Sequence, residues 1–156
     1  QDRLTLVDFE PYSPTELGEI LKLRAEDIKF TAKAMKQLED IVRDNARSAV
    51  MRAREIELYC ESKHKNTFNA ADFADLCDQL GILAKGISST EKQILEILEE
   101  LGHSSLTMLS ARTGLSPSSL RRHHEVYLLR KGLMQIDGKR KLTPRGKNLI
   151  YEIHKT

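Results

Sequence analysis

The chain has 156 residues, enough for one mid-sized domain or two small ones, with 40% apolar residues but only 5% aromatic ones. Its 25 Lys and Arg stand against 23 Asp and Glu, so a net charge of +2 names no partner by itself. No apolar run approaches the roughly 18 residues of a membrane-crossing helix.

The chain opens on Gln1-Asp2-Arg3, with neither an initiator Met nor a signal-peptide pattern, as expected of a piece of a longer protein. Residues 3–9 alternate loosely and read as a short extended segment. Pro11 and Pro14 then delay regular structure until Ser13 caps a first helix, with Glu16 completing a capping box. Leu17, Ile20, Leu21, Ala25 and Ile28 follow at helical spacing. Thr31 caps a second helix with Met35, Leu38, Ile41 and Val42 on its apolar face. A third opens near Asp44-Asn45 and carries Ala46, Ala49, Val50, Ala53, Ile56 and Cys60. Asn69 caps a fourth, with Phe73, Leu76, Cys77 and Leu80, which stops at Gly81. Four such helices joined by short turns predict a small bundle.

Residues 81–89 are the module boundary, with the first module expected over 1–84 and the second over 85–156. Ser89 or Thr90 is expected to cap a helix carrying Ile94, Leu95, Ile97, Leu98 and Leu101. A shorter helix runs from Leu106 to Thr113 and ends at Gly114. Ser116-Pro117 opens another through Leu120, Tyr127 and Leu128 to Lys131. Asp137-Gly138 then joins two strand-like runs, 133–136 and 139–142, as a hairpin. Thr143-Pro144 starts a last helix with Leu149, Ile150 and Ile153. The expected fold class is therefore mainly α: a four-helix bundle followed by a winged helix, that is, a helix-turn-helix with a β-hairpin wing.

Charge divides along the same line. Residues 1–85 carry 13 Lys and Arg against 16 Asp and Glu, whereas 86–156 carry 12 against 7. Between 112 and 147 ten basic residues face two acidic ones, Glu125 and Asp137. In a helix-turn-helix the second helix projects its early turns into the major groove. Here those turns hold Ser118, Ser119, Arg121, Arg122 and His123, and the hairpin adds Lys139, Arg140 and Lys141. Basic residues on both elements that a winged helix presents point to DNA. A solvated charged face and a winged helix used for protein contacts are the competing readings.

Little else in the sequence carries chemistry. His64, His103, His123, His124 and His154 form no ligand spacing, and Cys60 and Cys77 read as small core residues rather than metal ligands. Without a disulfide framework, a reducing, cytoplasmic compartment is expected. Glu99-Glu100 and Asp72-Asp75 read as solvated helix faces. A phosphate-binding P-loop needs Gly-x-x-x-x-Gly-Lys-Ser/Thr. The nearest string, Gly132 to Arg140, has five residues between its glycines and Arg at the hydroxyl position. These 156 residues therefore hold no nucleotide-hydrolysing core of their own.

The order Phe9-Glu10-Pro11-Tyr12-Ser13-Pro14-Thr15-Glu16-Leu17, followed by Ile20-Leu21 and Arg24-Ala25, resembles the start of the small helical lid of an AAA+ ATPase. Asn45-Ala46-Arg47-Ser48-Ala49 resembles that lid's sensor-2 motif. Gln79-Leu80-Gly81, Gly86-Ile87-Ser88 and Glu91-Lys92-Gln93-Ile94-Leu95 resemble the junction between lid and winged helix in the RuvB family of Holliday-junction branch-migration motors. Tyr127-Leu128, Lys131-Gly132-Leu133-Met134-Gln135 and Leu142-Thr143-Pro144-Arg145-Gly146 continue the match.

The resemblance covers essentially the whole chain but only the C-terminal half of such a motor. It implies an N-terminal domain with Walker motifs that binds ATP and Mg2+, and a homo-hexameric ring acting on duplex or junction DNA in recombination and repair. It gives Arg47 the sensor-2 role toward the ATP phosphates, Tyr12 a place against the nucleotide base and Arg3 a nucleotide contact. Ser118, Arg121, Arg122, Lys139, Arg140, Lys141 and Arg145 are then the expected DNA contacts. Two features depart from the pattern. Asp44-Asn45-Ala46-Arg47 stands where the RuvB family usually has Gly-Thr-Pro-Arg, and Ile136 stands where it tends to have Arg. The first leans toward the AAA+ replication initiators, which also end in a winged helix. A stand-alone winged-helix regulator is the third reading, since fold alone does not decide function.

Overall fold

The computed structural model describes residues 12–43 and 45–155. They form two compact units divided between Leu80 and Gly81. That division falls ahead of the 84/85 boundary expected from sequence. Leu83 packs against the second core, and its N–H bonds the Ile87 carbonyl at 2.8 Å.

In the first unit each cap does what its side chain allows. Ser13 accepts from Glu16 N (3.1 Å) while the Glu16 carboxylate accepts from Ser13 N (2.8 Å), starting α1 (Pro14–Arg24). This reciprocal box satisfies two N–H groups that the first turn leaves open. Thr31 caps α2 (Ala32–Ile41), Asn45 caps α3 (Ala46–Ser62), and α4 (Ala70–Leu80) follows. Their apolar stripes meet in one core built around Leu17, Leu21, Leu38, Ile56 and Phe68. Helix α1 ends at Arg24, so Ile28, expected on that helix, lies beyond it and packs on the core from the connection. There β1 (Lys29–Phe30) pairs in parallel with β2 (Thr67–Phe68), a contact that two-residue strands cannot announce through periodicity. Phe68 receives Phe30 and Tyr59 edge-on, each with ring centroids 5.8 Å away.

The second unit begins with a single helical turn at Ala84–Gly86 and then α5 (Ser89–Leu101). Its cap is Ser88, one residue ahead of the expected pair, because only Ser88 stands three residues before Glu91 and completes a capping box. Helix α6 (Leu106–Thr113) ends at the left-handed Gly114. Helix α7 starts at Pro117–Ser119, widens into a π-helical segment over Leu120–Glu125 and continues through Val126–Arg130. Strands β3 (Met134–Asp137) and β4 (Lys139–Leu142) form an antiparallel hairpin around Gly138, whose φ of 75° suits a residue without a Cβ. Ser104 adds a bridge to Arg140 on β4, so the segment between α5 and α6 joins the hairpin as a third, minimal strand. Helix α8 (Pro144–Lys155) closes the unit. Ile94, Leu98, Leu109, Leu120, Leu128 and Ile150 lie at the centre of its core. The result is a mainly helical chain: a four-helix bundle, then the helix-turn-helix and hairpin of a winged helix.

Candidate nucleic-acid interface and sensor helix

The expected DNA contacts do not all behave alike. Ser118, Arg121 and Arg122 are exposed on the early turns of α7, and Arg122 Nη2 donates to Ser118 Oγ at 3.0 Å. On β4 the strand period of two separates the three basic residues that the sequence groups together. Lys139 and Lys141 are exposed. Arg140, between them, turns to the other face with Leu142. Its Nε donates to Glu125 Oε2 at 2.7 Å and its Nη2 to Glu125 Oε1 at 3.2 Å. The Arg140 side chain is only 12% exposed and that of Glu125 3%, so this guanidinium faces the protein. Arg145 is exposed at the start of α8, where its Nη1 donates to the Lys131 carbonyl just beyond the end of α7 (3.4 Å). A cation there also complements the negative end of the helix dipole.

Beneath this basic surface runs a polar chain the sequence did not reveal. Glu91, 1% exposed, accepts from Ser88 N at 2.9 Å, and its other oxygen lies 2.8 Å from His124 Nδ1. Thus His124 and Glu125, neighbours in the π segment, reach partners on two different elements, α5 and β4. Tyr127 Oη donates to the Lys85 carbonyl at 2.7 Å, fastening the connector to α7 as well. The readable signal was the Ser88-x-x-Glu91 spacing, which predicts a cap but not the histidine that shares it.

In the first unit Arg47 is the second residue of α3, and it is exposed. The Asn45 side chain caps Ser48 N at 2.8 Å, and no acidic residue lies in that first turn. Arg47 therefore adds a full positive charge where the open N–H groups already present a positive end, an arrangement suited to an anion. Tyr12 is exposed just ahead of the Ser13 cap. Arg3 lies outside the described residues.

A second polar cluster joins α3 to α4. Tyr59 on α3 donates to Asp72 Oδ1 (3.1 Å) and Asp75 Oδ2 (2.9 Å), both on α4. Lys65 Nζ lies 2.6 Å from Asp72 Oδ1, and Asp72 exchanges capping bonds with Asn69. Asp72 is thus buried and bonded, not the solvated helix face its sequence neighbourhood predicts. Burial opposes its charge, but Lys65, the Asn69 N–H and Tyr59 outweigh that and hold its carboxyl below the usual range. Burial pushes the Tyr59 hydroxyl well up, and both aspartates reinforce the shift. Burial likewise raises the thiols of Cys60 and Cys77. Among the described residues no group of three His, Cys, Asp or Glu comes together to hold a metal ion. No described helix is long and apolar enough to cross a membrane.

No protein-family profile and no curated protein sequence matches the chain significantly. Solved structures do match it. RuvB of Thermotoga maritima, a Holliday junction branch migration motor, superposes with a TM-score of 0.80 at 22% identity over 94% of this chain. Two of its point variants give TM-scores of 0.81 at the same identity. In each case the match takes in 50% of the solved chain, so the present sequence spans about half the length of these proteins. Its fold is that of one half of RuvB, consistent with the C-terminal half.

Proposed function

We propose that this chain is the lid and DNA-binding portion of an ATP-driven DNA translocase of the RuvB type, acting on Holliday junctions as a ring of identical subunits. The observation that carries the proposal is the fold match, which runs through both units to the same solved protein. Arg47 supports it as well, because a guanidinium in a first helical turn that holds no acidic residue fits the γ-phosphate of ATP. Tyr12, near the head of α1, would rest against the nucleotide base, and Arg3 belongs to the same proposed nucleotide contact. ATP brings the phosphoanhydride whose cleavage drives the motor, and the Walker motifs and Mg2+ sites fall to the remainder of the proposed protein. Arg47 would follow the γ-phosphate, so that its loss on hydrolysis alters the hold on α3. Exposed Ser118, Arg121 and Arg122, with Lys139, Lys141 and Arg145, would grip the phosphate backbone with little base preference.

The test is Arg47→Ala in the protein that carries the ATPase core. ATP hydrolysis should fall by at least tenfold, by analogy with other arginines that meet transferring phosphates, while affinity for junction DNA stays unchanged. Full hydrolysis in that variant removes Arg47 from the account. Binding confined to one palindromic site would instead favour a regulator, and a preference for origin-like sequences over junctions a replication initiator.

A further inference from the structure

The geometry points to Arg140 and Glu125 as a positioning pair that sets the wing against α7, rather than to Arg140 as a contact of its own with DNA. This rests on the DNA-binding reading above and assigns within it a role to buried Glu125 and half-buried Arg140. Arg140 is held on two sides at once. Its backbone exchanges both hydrogen bonds with Ser104, at 2.8 and 2.9 Å, which fixes β4 in the sheet. Its side chain meets Glu125 through two prongs, at 2.7 and 3.2 Å. A forked contact fixes direction as well as distance, which a single ammonium cannot do.

Glu125 closes the π segment of α7, one turn beyond Arg121 and Arg122. Fixing Glu125 therefore fixes the turn that presents those arginines. Arg140 in turn lies between Lys139 and Lys141, so orienting its side chain inward aims both lysines outward. The pair thereby relates the cations of the wing to those of the helix. A buried ion pair is a poor source of stability, since desolvation offsets most of its attraction, and its best-attested use is selecting one arrangement. Here the arrangement selected puts two sets of cations in register with one phosphate backbone.

The experiment measures affinity of the chain for a fluorescently labelled random-sequence DNA duplex across a salt series, in the parent sequence, Glu125→Gln, Arg140→Lys and Lys141→Ala. Glu125→Gln removes the carboxylate charge and leaves one neutral acceptor oxygen where the fork of Arg140 meets two charged ones. A positioning pair predicts affinity falling about fivefold to tenfold, which corresponds to about 1–1.4 kcal/mol. Arg140→Lys keeps the charge and loses the fork, and should weaken binding in the same direction. In both, the slope of log affinity against log salt should stay as in the parent sequence, because no phosphate contact is removed. Lys141→Ala should instead reduce that slope by about 0.9.

Unchanged or tighter binding in Glu125→Gln, with a reduced slope in an Arg140→Ala control, would overturn the assignment and return Arg140 to the DNA contacts. Should Glu125→Gln fail to fold, Arg140→Lys and amide hydrogen exchange across β3 and β4 decide the matter. Faster exchange with weaker binding supports the pair, and parent-like values in both overturn it. Failure of the parent sequence to bind the duplex at any salt would defeat the DNA-binding reading itself, a result distinct from either.

Discussion

Asp72 and Tyr59 illustrate how single residues set the working range of this fold. The Asp72 carboxyl is held below its ordinary value of 3.8, so its contribution is complete at neutral pH and is lost as acid titrates it from that value downward. Tyr59 is shifted the other way. Its contribution is complete below its ordinary value of 10.0 and is lost as pH climbs beyond it. Denaturant midpoints measured across pH should therefore fall at both extremes. Asp72→Asn should lower stability at pH 7 and flatten the acid limb, and Tyr59→Phe should flatten the alkaline limb. An unaltered profile in both variants would contradict this account of the cluster. Sequence spacing could not expose it, because Tyr59, Lys65 and Asp72 come together only when α3 and α4 pack. Arg140 was misleading for a related reason: three adjacent cations look like one patch until the strand period sends the middle one inward.

At the scale of elements, helices were the most legible feature because caps and apolar periodicity agree. The box of Ser13 and Glu16, the cap at Asn45 and the stop at Gly114 all follow from residue chemistry visible in the chain. The paired strands β1 and β2 and the π segment of α7 were not legible, since one is too short for a period and the other depends on tertiary partners. Two substitutions probe the junctions between elements. Ser88→Ala should cost about 1 kcal/mol in chemical denaturation, the usual loss for an N-cap. Gly146→Ala should cost about 1–3 kcal/mol or more, the range for overpacking. A Cβ at that position would lie 2.0 Å from the Leu133 carbonyl oxygen, where backbone cannot yield cheaply. Parent-like stability of the alanine variant would mean that α8 can move away from Leu133 without loss.

For the whole molecule, the division of charge visible in the sequence coincides with the division into two units. The acidic half holds the candidate sensor helix and the basic half holds the exposed cations of α7 and the wing. That correspondence is what gives the proposed division of labour its physical sense, since nucleic-acid affinity is dominated by neutralised phosphates. The central claim is that these cations grip a DNA backbone. Its most direct test is equilibrium binding of the chain to duplex DNA over a range of salt, with Lys139→Glu/Lys141→Glu as the comparison. The account predicts affinity that falls linearly with log salt, and a slope shallower by about 0.9 for each phosphate contact removed. Binding that ignores salt, or a charge-reversed variant as tight and as steep as the parent sequence, would contradict it.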